Sequence, residues 1–160
     1  MKRWTLVTFL LVSFIFGLAP DASACWSPRK TERQLASMTN RTRDNHERRL
    51  LKFDDDLSKA ARVQSNRMVR RGQLFHNDYA TMNDLIGGTW ALVGENVGNG
   101  SVLRQIQAAF MHSPDHRKNV LYKTWRKVGV GVVRKDERFW VTVLFASTGT
   151  VEAKVGGATC

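Results

Sequence analysis

The chain has 160 residues, and its 25 lysines and arginines outnumber its 14 aspartates and glutamates to give a formal net charge of +11. So large an excess of positive charge favours anionic partners such as lipid headgroups or cell-wall polymers, through an attraction that weakens with salt. The sequence has only two cysteines, no internal repeat, no RNA-binding aromatic signature and no zinc-finger spacing, so we do not expect a nucleic-acid-binding protein.

The first 24 residues have the pattern of a secretory signal peptide. Lys2-Arg3 precedes an apolar run over residues 4–18, and Ala22-Ser23-Ala24 supplies the small residues that a signal peptidase recognises. The apolar run is too short for a comfortable membrane span. We therefore expect cleavage after residue 24, a secreted or periplasmic location, and a single mature domain over residues 25–160 with no transmembrane span.

The two cysteines, Cys25 and Cys160, would be the first and last residues of the mature chain. In an exported protein the simple interpretation is a disulfide between the two ends, which contributes about 4 to 5 kcal/mol of stability in the chain-entropy model. The alternative is a lipid anchor on Cys25, because lipidation needs a cysteine at the first mature position. Ala22 lies three residues before it, where lipoprotein signals usually carry Leu, so we favour the disulfide.

Two helices are predicted in the first half of the mature chain. The first covers residues 31–49, after an extended segment that Pro28 favours, and its apolar stripe is thin. The acidic run Asp54-Asp55-Asp56 lacks the alternating ligands and the distal glutamate of a calcium loop, so we interpret it as the N-cap of a helix over residues 57–71. Gly72 is the expected C-cap of that helix.

The second helix has two distinct faces. Ala60 and Ala61 lie on its apolar face, and such small residues predict close packing against another layer. The opposite face is basic, and it carries Lys59, Arg62, Arg67 and Arg70. This basic face is the surface that we expect to attract an anionic ligand.

Ionisable residues then appear at three places in the middle of the chain. His76 follows the second helix behind two apolar residues, and Glu95 lies in a Gly-containing stretch that is either a close backbone approach or a turn. Ser101 is a candidate N-cap for a further helix, which Pro114 would end or kink. The segment FMHSPDHRKNVL, residues 110–121, therefore straddles a helix end and a turn, with more ionisable groups than a solvated loop needs.

Two strands are predicted at the end of the domain. Valines alternate with glycines at the start of residues 128–133, and a β-branched and aromatic run covers residues 139–145. The charged segment between them, residues 134–138, is the expected hairpin connection. A short helical turn is also expected at residues 81–86.

The order of these motifs resembles the CAP superfamily, which comprises cysteine-rich secretory proteins, insect antigen 5 and plant pathogenesis-related proteins. The motifs are His76-Asn77, Gly94-Glu95-Asn96-Val97, the run from Ser113 to Leu121, and Val128-Gly129-Val130-Gly131 before the final strand. The resemblance extends over residues 35–145 and is strongest to the compact bacterial secreted branch.

The resemblance implies an α+β fold, a three-layer α-β-α sandwich with a small antiparallel sheet. It also implies a cleft in which two histidines and two glutamates converge, in some members around a divalent metal. Here His76 and His116 match the histidines, Glu95 matches one glutamate, and Asn96 follows it in the same motif. These four residues are the ligand cleft that the resemblance predicts.

The second glutamate of the family cleft is missing from this sequence. Alignment on the aromatic residue Phe110 puts Ser113 at its position, and the neighbouring His112 is either a surface residue or a substitute. The cleft therefore has one carboxylate rather than two.

A divalent metal such as zinc is the cofactor that the cleft residues suggest, although none is certain. His76, His116 and Glu95 are ligand types that zinc prefers, and three protein ligands leave a position open for water. An imidazole ligand needs a partner for its other nitrogen, and Asn77, Asn96 or Asp115 would supply one. With a single carboxylate we expect modest affinity for the metal.

Three functions stay open. The favoured one is a ligand-binding or envelope-associated factor whose partner is an anionic lipid, a cell-wall polymer or a protein. The second is a hydrolase, either metal-assisted or built on Glu95, Ser113 and His116 as a Ser-His-acid arrangement, but no nucleophile-elbow sequence is present and we lean against an enzyme. The third is a structural domain whose His/Glu network only satisfies buried polar groups.

Overall fold

A computed structural model describes residues 26–87 and 90–148. The predicted signal peptide, Cys25 and Cys160 lie outside these residues. The described part forms five α-helices and four β-strands. The helices are α1 (Pro28–Asp44), α2 (Asp55–Arg71), α3 (Tyr79–Ile86), α4 (Leu103–His112) and α5 (Pro114–Leu121), and the strands are β1 (Lys52–Phe53), β2 (Leu92–Gly100), β3 (Lys127–Lys135) and β4 (Arg138–Ser147).

The strands form one sheet in the order β1-β3-β4-β2. β4 pairs antiparallel with both β2 and β3, which confirms the antiparallel sheet expected from the sequence. β1 adds a two-residue parallel edge beside β3, so the sheet as a whole is mixed. The hairpin between β3 and β4 turns at Asp136 and Glu137, both at positive φ, as a tight primed turn requires.

The two faces of the sheet carry separate cores between helical layers. On one face Val128, Val130 and Val132 of β3 pack with α1, α4 and α5. On the other face, Leu144 and Ala146 of β4 pack with apolar side chains of α2 and α3. This alternation along the strands confirms the three-layer α-β-α sandwich.

Helix α2 lies very close to β3, as its small residues predicted. A Cβ atom added to Gly129 would overlap Leu57, and one added to Gly131 would overlap the backbone of Ala61. The two glycines thus remove side chains from the face of β3 that α2 covers. Both caps of α2 follow the prediction, since Asp54 accepts hydrogen bonds from the first turn and Gly72 caps the helix at a φ of 65°. The helix begins at Asp55 rather than at residue 57.

The edge of β3 that faces away from β4 is paired with β1 at only two positions. Beyond them, side chains of the helices accept its backbone hydrogen bonds. Val130 N donates to Ser58 Oγ at 3.1 Å, and Val132 N donates to Glu32 Oε1 at 3.3 Å. The second oxygen of Glu32 pairs with Arg62 at 2.6 Å, so one buried carboxylate connects α1, α2 and β3.

Several predicted boundaries are wrong. The first helix starts at Pro28 rather than at residue 31, because Pro fits the first turn and Ser27 accepts a hydrogen bond from Lys30 N. It ends at Asp44, and a turn with Glu47 at positive φ replaces its predicted last residues.

Three local interpretations in the middle of the chain are also wrong. Val102 rather than Ser101 is the N-cap of α4, without a side-chain capping bond. Pro114 does not lead into a turn but opens α5, because a proline at the first helical position lacks only a donor that would be unsatisfied there. Of the two interpretations of the stretch around Glu95, the turn is wrong, because these residues form strand β2.

Candidate functional site

Three elements bring the predicted cleft residues together. His76 lies in the segment after α2, Glu95 and Asn96 lie in the middle of β2, and His116 lies in the first turns of α5. β2 is fixed by its pairing with β4, in which Glu95 is opposite Leu144. The strand holds Glu95 and α5 carries His116 against it.

Glu95 is a buried carboxylate whose two oxygens are engaged by neighbouring donors. Only 2% of its side chain is exposed. Oε1 accepts hydrogen bonds from His76 Nδ1 and from the backbone N–H of Asn77, both at 3.0 Å, and Oε2 accepts one from Asn77 Nδ2 at 2.7 Å. These three bonds satisfy a group that burial would otherwise destabilise strongly.

The two histidines face each other at the cleft. The centroids of the His76 and His116 rings are 6.2 Å apart, with an angle of 37° between the planes. The His76 side chain is 35% exposed. Since Glu95 accepts from Nδ1 of His76, the proton lies on that nitrogen and Nε2 is directed away from the carboxylate. His116 also packs against the Phe110 ring at 5.3 Å.

His116 favours its neutral form in this environment. Burial of the ring lowers its pKa below the ordinary value, and the neighbouring His76 lowers it further, while Asp115 opposes the shift. The cause is desolvation first, because a half-buried imidazolium loses water that no nearby group replaces in full. At neutral pH the ring therefore presents an uncharged nitrogen to the cleft.

Asparagines rather than acids hold the backbone of the cleft. Asn96 Nδ2 donates to the His116 carbonyl at 3.0 Å, and Asn119 Nδ2 donates to the Glu95 carbonyl and to Asn96 Oδ1. Trp125 Nε1 donates to the Asn119 carbonyl at 2.8 Å. This network fixes β2 against α5, and sequence reasoning missed the roles of Asn119 and Trp125 because their partners are distant in the chain.

Gly94 explains why the strand can approach the tryptophan. A Cβ atom at this position would lie 2.7 Å from the ring of Trp125. The glycine before Glu95 therefore serves close packing, which was one of the two interpretations offered for this stretch.

The role of Asn77 differs from the one expected. It was expected to accept a hydrogen bond from an imidazole, but it donates to Glu95 instead, and its own oxygen accepts from Arg67 at 2.9 Å. The partner that fixes His76 is Glu95 itself. Asn96 contacts the backbone of His116 rather than its ring.

The remaining candidates lie outside this network. His112 is exposed, and its Nδ1 bonds to the Ala108 carbonyl of its own helix at 2.7 Å, which is the surface position offered as one alternative. Ser113 is the residue between α4 and α5, and within the described ranges no hydrogen bond joins its hydroxyl to His116.

The arrangement of His76, His116 and Glu95 does not fit a three-ligand zinc centre. Three N–H donors already bind the buried carboxylate of Glu95 and leave one lone pair, on Oε2, while the bond from His76 Nδ1 leaves the Nε2 atom of that ring free. Among residues 26–87 and 90–148, no group of three or more His, Cys, Asp or Glu side chains is placed to hold a metal ion. We derive no chemical step through a metal.

The helices of the described part include none that is both long and apolar enough to cross a membrane.

Comparison with known proteins identifies the family of this chain. The model of the cysteine-rich secretory protein family, CAP, matches residues 36–145. The uncharacterized protein YkwD of Bacillus subtilis is 31% identical over 108 residues, which are 64% of this chain and 42% of that protein.

Solved structures of similar fold come from several organisms. An extracellular protein of Bacillus anthracis with an SCP domain is 24% identical with a TM-score of 0.68, and the match covers 76% of this chain and 41% of that one. An outer surface protein of Borrelia burgdorferi is 20% identical with a TM-score of 0.67, over 73% of this chain and 92% of that one. The chain thus spans less than half of YkwD and of the Bacillus anthracis protein, and the structural likeness concerns the fold.

Proposed function

Because this chain belongs to the cysteine-rich secretory protein family, we propose that it is an exported ligand-binding factor of the cell envelope or the extracellular space. The ligand occupies the cleft formed by His76, Glu95, Asn96 and His116. Neighbours of extracellular location, such as the Bacillus anthracis protein, support an exported role. The ligand class is an anionic lipid, a wall polymer or a protein segment.

The observation that carries this proposal is the engagement of buried Glu95 by three N–H donors. Two donors fill the lone pairs of Oε1 and a third binds Oε2, and only 2% of the side chain is exposed, so Glu95 offers an outside ligand at most one buried lone pair. Glu95 therefore acts as the group that orients His76. The exposed part of His76 and the neutral ring of His116 are left as the hydrogen-bonding surface of the cleft.

The basic face of α2 contributes less free charge than its sequence indicates. Arg62 pairs with buried Glu32 and Lys59 pairs with Asp56 at 2.7 Å, whereas Arg67 donates to the neutral amide of Asn77 and keeps its full charge. Exposed pairs of this kind are worth little, but they still reduce the attraction for an outside anion. This face assists the approach to an anionic envelope, while the cleft supplies the selectivity.

The test is co-sedimentation of the mature protein with isolated peptidoglycan sacculi and, separately, with phosphatidylglycerol vesicles. We expect retention on at least one of them, and a His76→Gln/His116→Gln variant retains at least about fivefold less protein. His112→Gln is the matched control, because that histidine is exposed and outside the cleft. Equal retention of all three proteins on both probes would remove the proposal.

The two alternatives predict different outcomes in the same proteins. If the protein is a hydrolase built on Ser113, the Ser113→Ala and His116→Ala variants should both lose turnover of peptide and ester substrates. If it is a binding factor, the unaltered protein should not turn over these substrates. A purely structural network makes the cleft variants less stable without changing retention of the folded fraction. Thermal unfolding measured beside the retention assay separates these outcomes.

A further inference from the structure

A second set of functional candidates lies on the turn after α1, on α5 and on the loop before β3. It consists of four arginines, which we term the arginine cluster: Arg43, Arg48, Arg117 and Arg126. Within the described ranges, none of the four forms an ion pair with an acidic side chain, although five other Lys or Arg residues do. The cluster is thus a concentration of positive charge that the described part of the fold does not neutralise.

Arg43 is the fixed centre of the cluster. Its side chain is fully buried at the end of α1, and it donates to the carbonyls of Arg49, Val120 and Tyr122 at 2.6 to 3.0 Å. Its Nη2 atom has no hydrogen-bond partner among the described residues. Burial and the charges of Arg48 and Arg126 lower the pKa of Arg43 to about 10, so it keeps its charge at neutral pH.

The other three arginines are anchored by one part of the guanidinium group. Arg48 donates through Nε to the Leu121 carbonyl, and Arg126 donates through Nη1 to the carbonyls of residues 123–125. Arg117 donates through Nη2 to His46 Nε2 at 3.2 Å. In each case other N–H groups of the guanidinium stay available for a ligand.

Further exposed cations extend this surface. They are Arg49, Lys118 and Lys123. The exposed acids along the same surface are Asp44, Glu47 and Asp115, so cations still outnumber acids on it. The surface continues from the turn after α1, along α5 and into the loop before β3. Successive positive charges along one path suit a ligand with successive negative charges.

We propose that the arginine cluster binds a linear polyanion whose repeating charged group is phosphate. Guanidinium groups held in one orientation match the oxygens of a phosphate in a two-point contact, which a lysine does not provide. A bound polyanion also relieves the repulsion between Arg43, Arg48 and Arg126. This function goes beyond the cleft, since His76 and Glu95 make no contact with the cluster in the hydrogen bonds of the fold.

A polymer fits this surface better than a bilayer does. Docking on a bilayer surface gains from apolar side chains that are free to insert, and the exposed apolar residues here are Leu50 and Tyr122. The Tyr122 ring packs on Trp125 at 5.1 Å. Leu50 lines a cavity of about 420 Å³ beside Ala36 and Phe53. Of these two side chains only Leu50, which is 55% exposed, is free to insert, and one apolar side chain anchors a protein weakly in a bilayer.

The experiment measures binding of a short linear polyphosphate of defined length to the mature protein by calorimetry over a range of salt concentrations. The test variant is Arg117→Gln/Arg126→Gln, and the matched control is Arg70→Gln/Arg104→Gln, which removes the same charge from exposed positions on α2 and α4. Loss of two phosphate contacts should weaken binding at low salt about tenfold or more and flatten the slope of log K against log salt by about 1.4. The control should change affinity by less than about threefold, as expected for unselective charge.

Two further measurements keep the outcome decisive. Arg117→Lys/Arg126→Lys retains the charge but not the guanidinium geometry, and we expect it to recover only part of the lost affinity. The His76→Gln/His116→Gln cleft variant should bind polyphosphate as the unaltered protein does, so failure here is separable from failure of the proposed cleft function. Equal losses of polyphosphate affinity in the test and control variants would overturn the proposal. It would also be overturned if the protein bound phosphatidylglycerol vesicles through the arginine cluster but did not bind polyphosphate.

Discussion

Glu95 accepts a hydrogen bond from His76 Nδ1 at 3.0 Å while only 2% of the Glu95 side chain is exposed. The pair joins a buried strand to the segment after α2, across 19 positions of sequence. Because Asn77 supplies the other two donors, the carboxylate is held from two consecutive residues. The orientation of His76 is therefore set by the interior of the protein rather than by solvent.

Replacement of Glu95 by glutamine should destabilise the fold. The glutamine side chain has an NH₂ group in place of one carboxylate oxygen, so one of the three N–H donors would lose its acceptor. A buried donor left without an acceptor costs about 2 to 3 kcal/mol. Urea unfolding measures this difference. Asp84→Asn is the control, since that carboxylate is exposed and its change should stay within about 0.5 kcal/mol. Equal effects of both substitutions would contradict the role given to Glu95.

The stability of the protein should fall as the pH drops below about 6.5, because of His116. The unfolded chain takes up the proton near that value, whereas burial and His76 lower the pKa of the folded state. The unfolded state thus binds more protons in the window between the two pKa values, and stability is lost there as the pH falls.

Urea unfolding between about pH 7 and about pH 5 tests this dependence. The difference between the unaltered protein and His116→Gln should shrink toward low pH, while His112→Gln should leave the pH profile unchanged. In NMR titration the pKa of His116 should rise in a His76→Gln variant, because a neighbouring charge is removed. A His116 pKa at or above about 6.5 in the unaltered protein contradicts the expected environment.

Added zinc should not raise the melting temperature measurably. A ligand that binds only the folded state stabilises it, but the described residues place no group of three His, Cys, Asp or Glu side chains to hold a metal, and Glu95 is engaged by His76 and Asn77. Differential scanning calorimetry with zinc and with a chelator measures the effect. A rise that disappears in His76→Gln would show that His76 ligates a metal and would contradict this expectation.

Arg43→Lys should destabilise the fold by about 2 to 4 kcal/mol. A lysine keeps the charge but cannot reach the carbonyls of Arg49, Val120 and Tyr122 together, so buried acceptors lose their partner. Arg41→Lys is the matched control, because Arg41 is exposed on the same helix. Chemical unfolding in which both variants are equally stable would show that Arg43 does not hold α5.

Gly131→Ala should destabilise the fold by about 3 kcal/mol or more, because its Cβ would overlap the backbone of Ala61, which cannot move without shifting α2. Gly98→Ala is the comparison within the same sheet. Its Cβ would lie 3.1 Å from the Phe110 ring, a side chain that can yield, so a smaller loss is expected. In urea unfolding, Gly131→Ala should have the lower midpoint of the two variants. A lower midpoint for Gly98→Ala would contradict the packing of α2 on β3.

Local signals account for what the sequence predicted well. Asp54 and Gly72 act within their own helix, so the caps of α2 followed from chemistry that needs no distant partner. The valine and glycine alternation of β3 likewise matches a strand with one face against a core and the other against α2. The order of His76, Glu95 and His116 indicated a cleft because it resembles the family pattern.

Distant contacts account for what the sequence did not predict. β2 contains several glycines and asparagines, which disfavour strands, and only its pairing with β4 makes it extended. The part of Asn119 depends on Glu95 and Asn96, which precede it by 24 and 23 positions. Arg43 has no local mark of burial, and its acceptors at Val120 and Tyr122 lie 77 and 79 positions away.

The hydrogen bond from Val132 to Glu32 has a consequence for how the chain avoids misassembly. An uncovered strand edge can pair with the same edge of another molecule. Glu32 covers the β3 edge from a position 100 residues earlier in the chain, so the edge stays open in any molecule whose α1 has not yet docked. Loss of α1 by proteolysis would convert the interior of this fold into a surface for strand-to-strand aggregation.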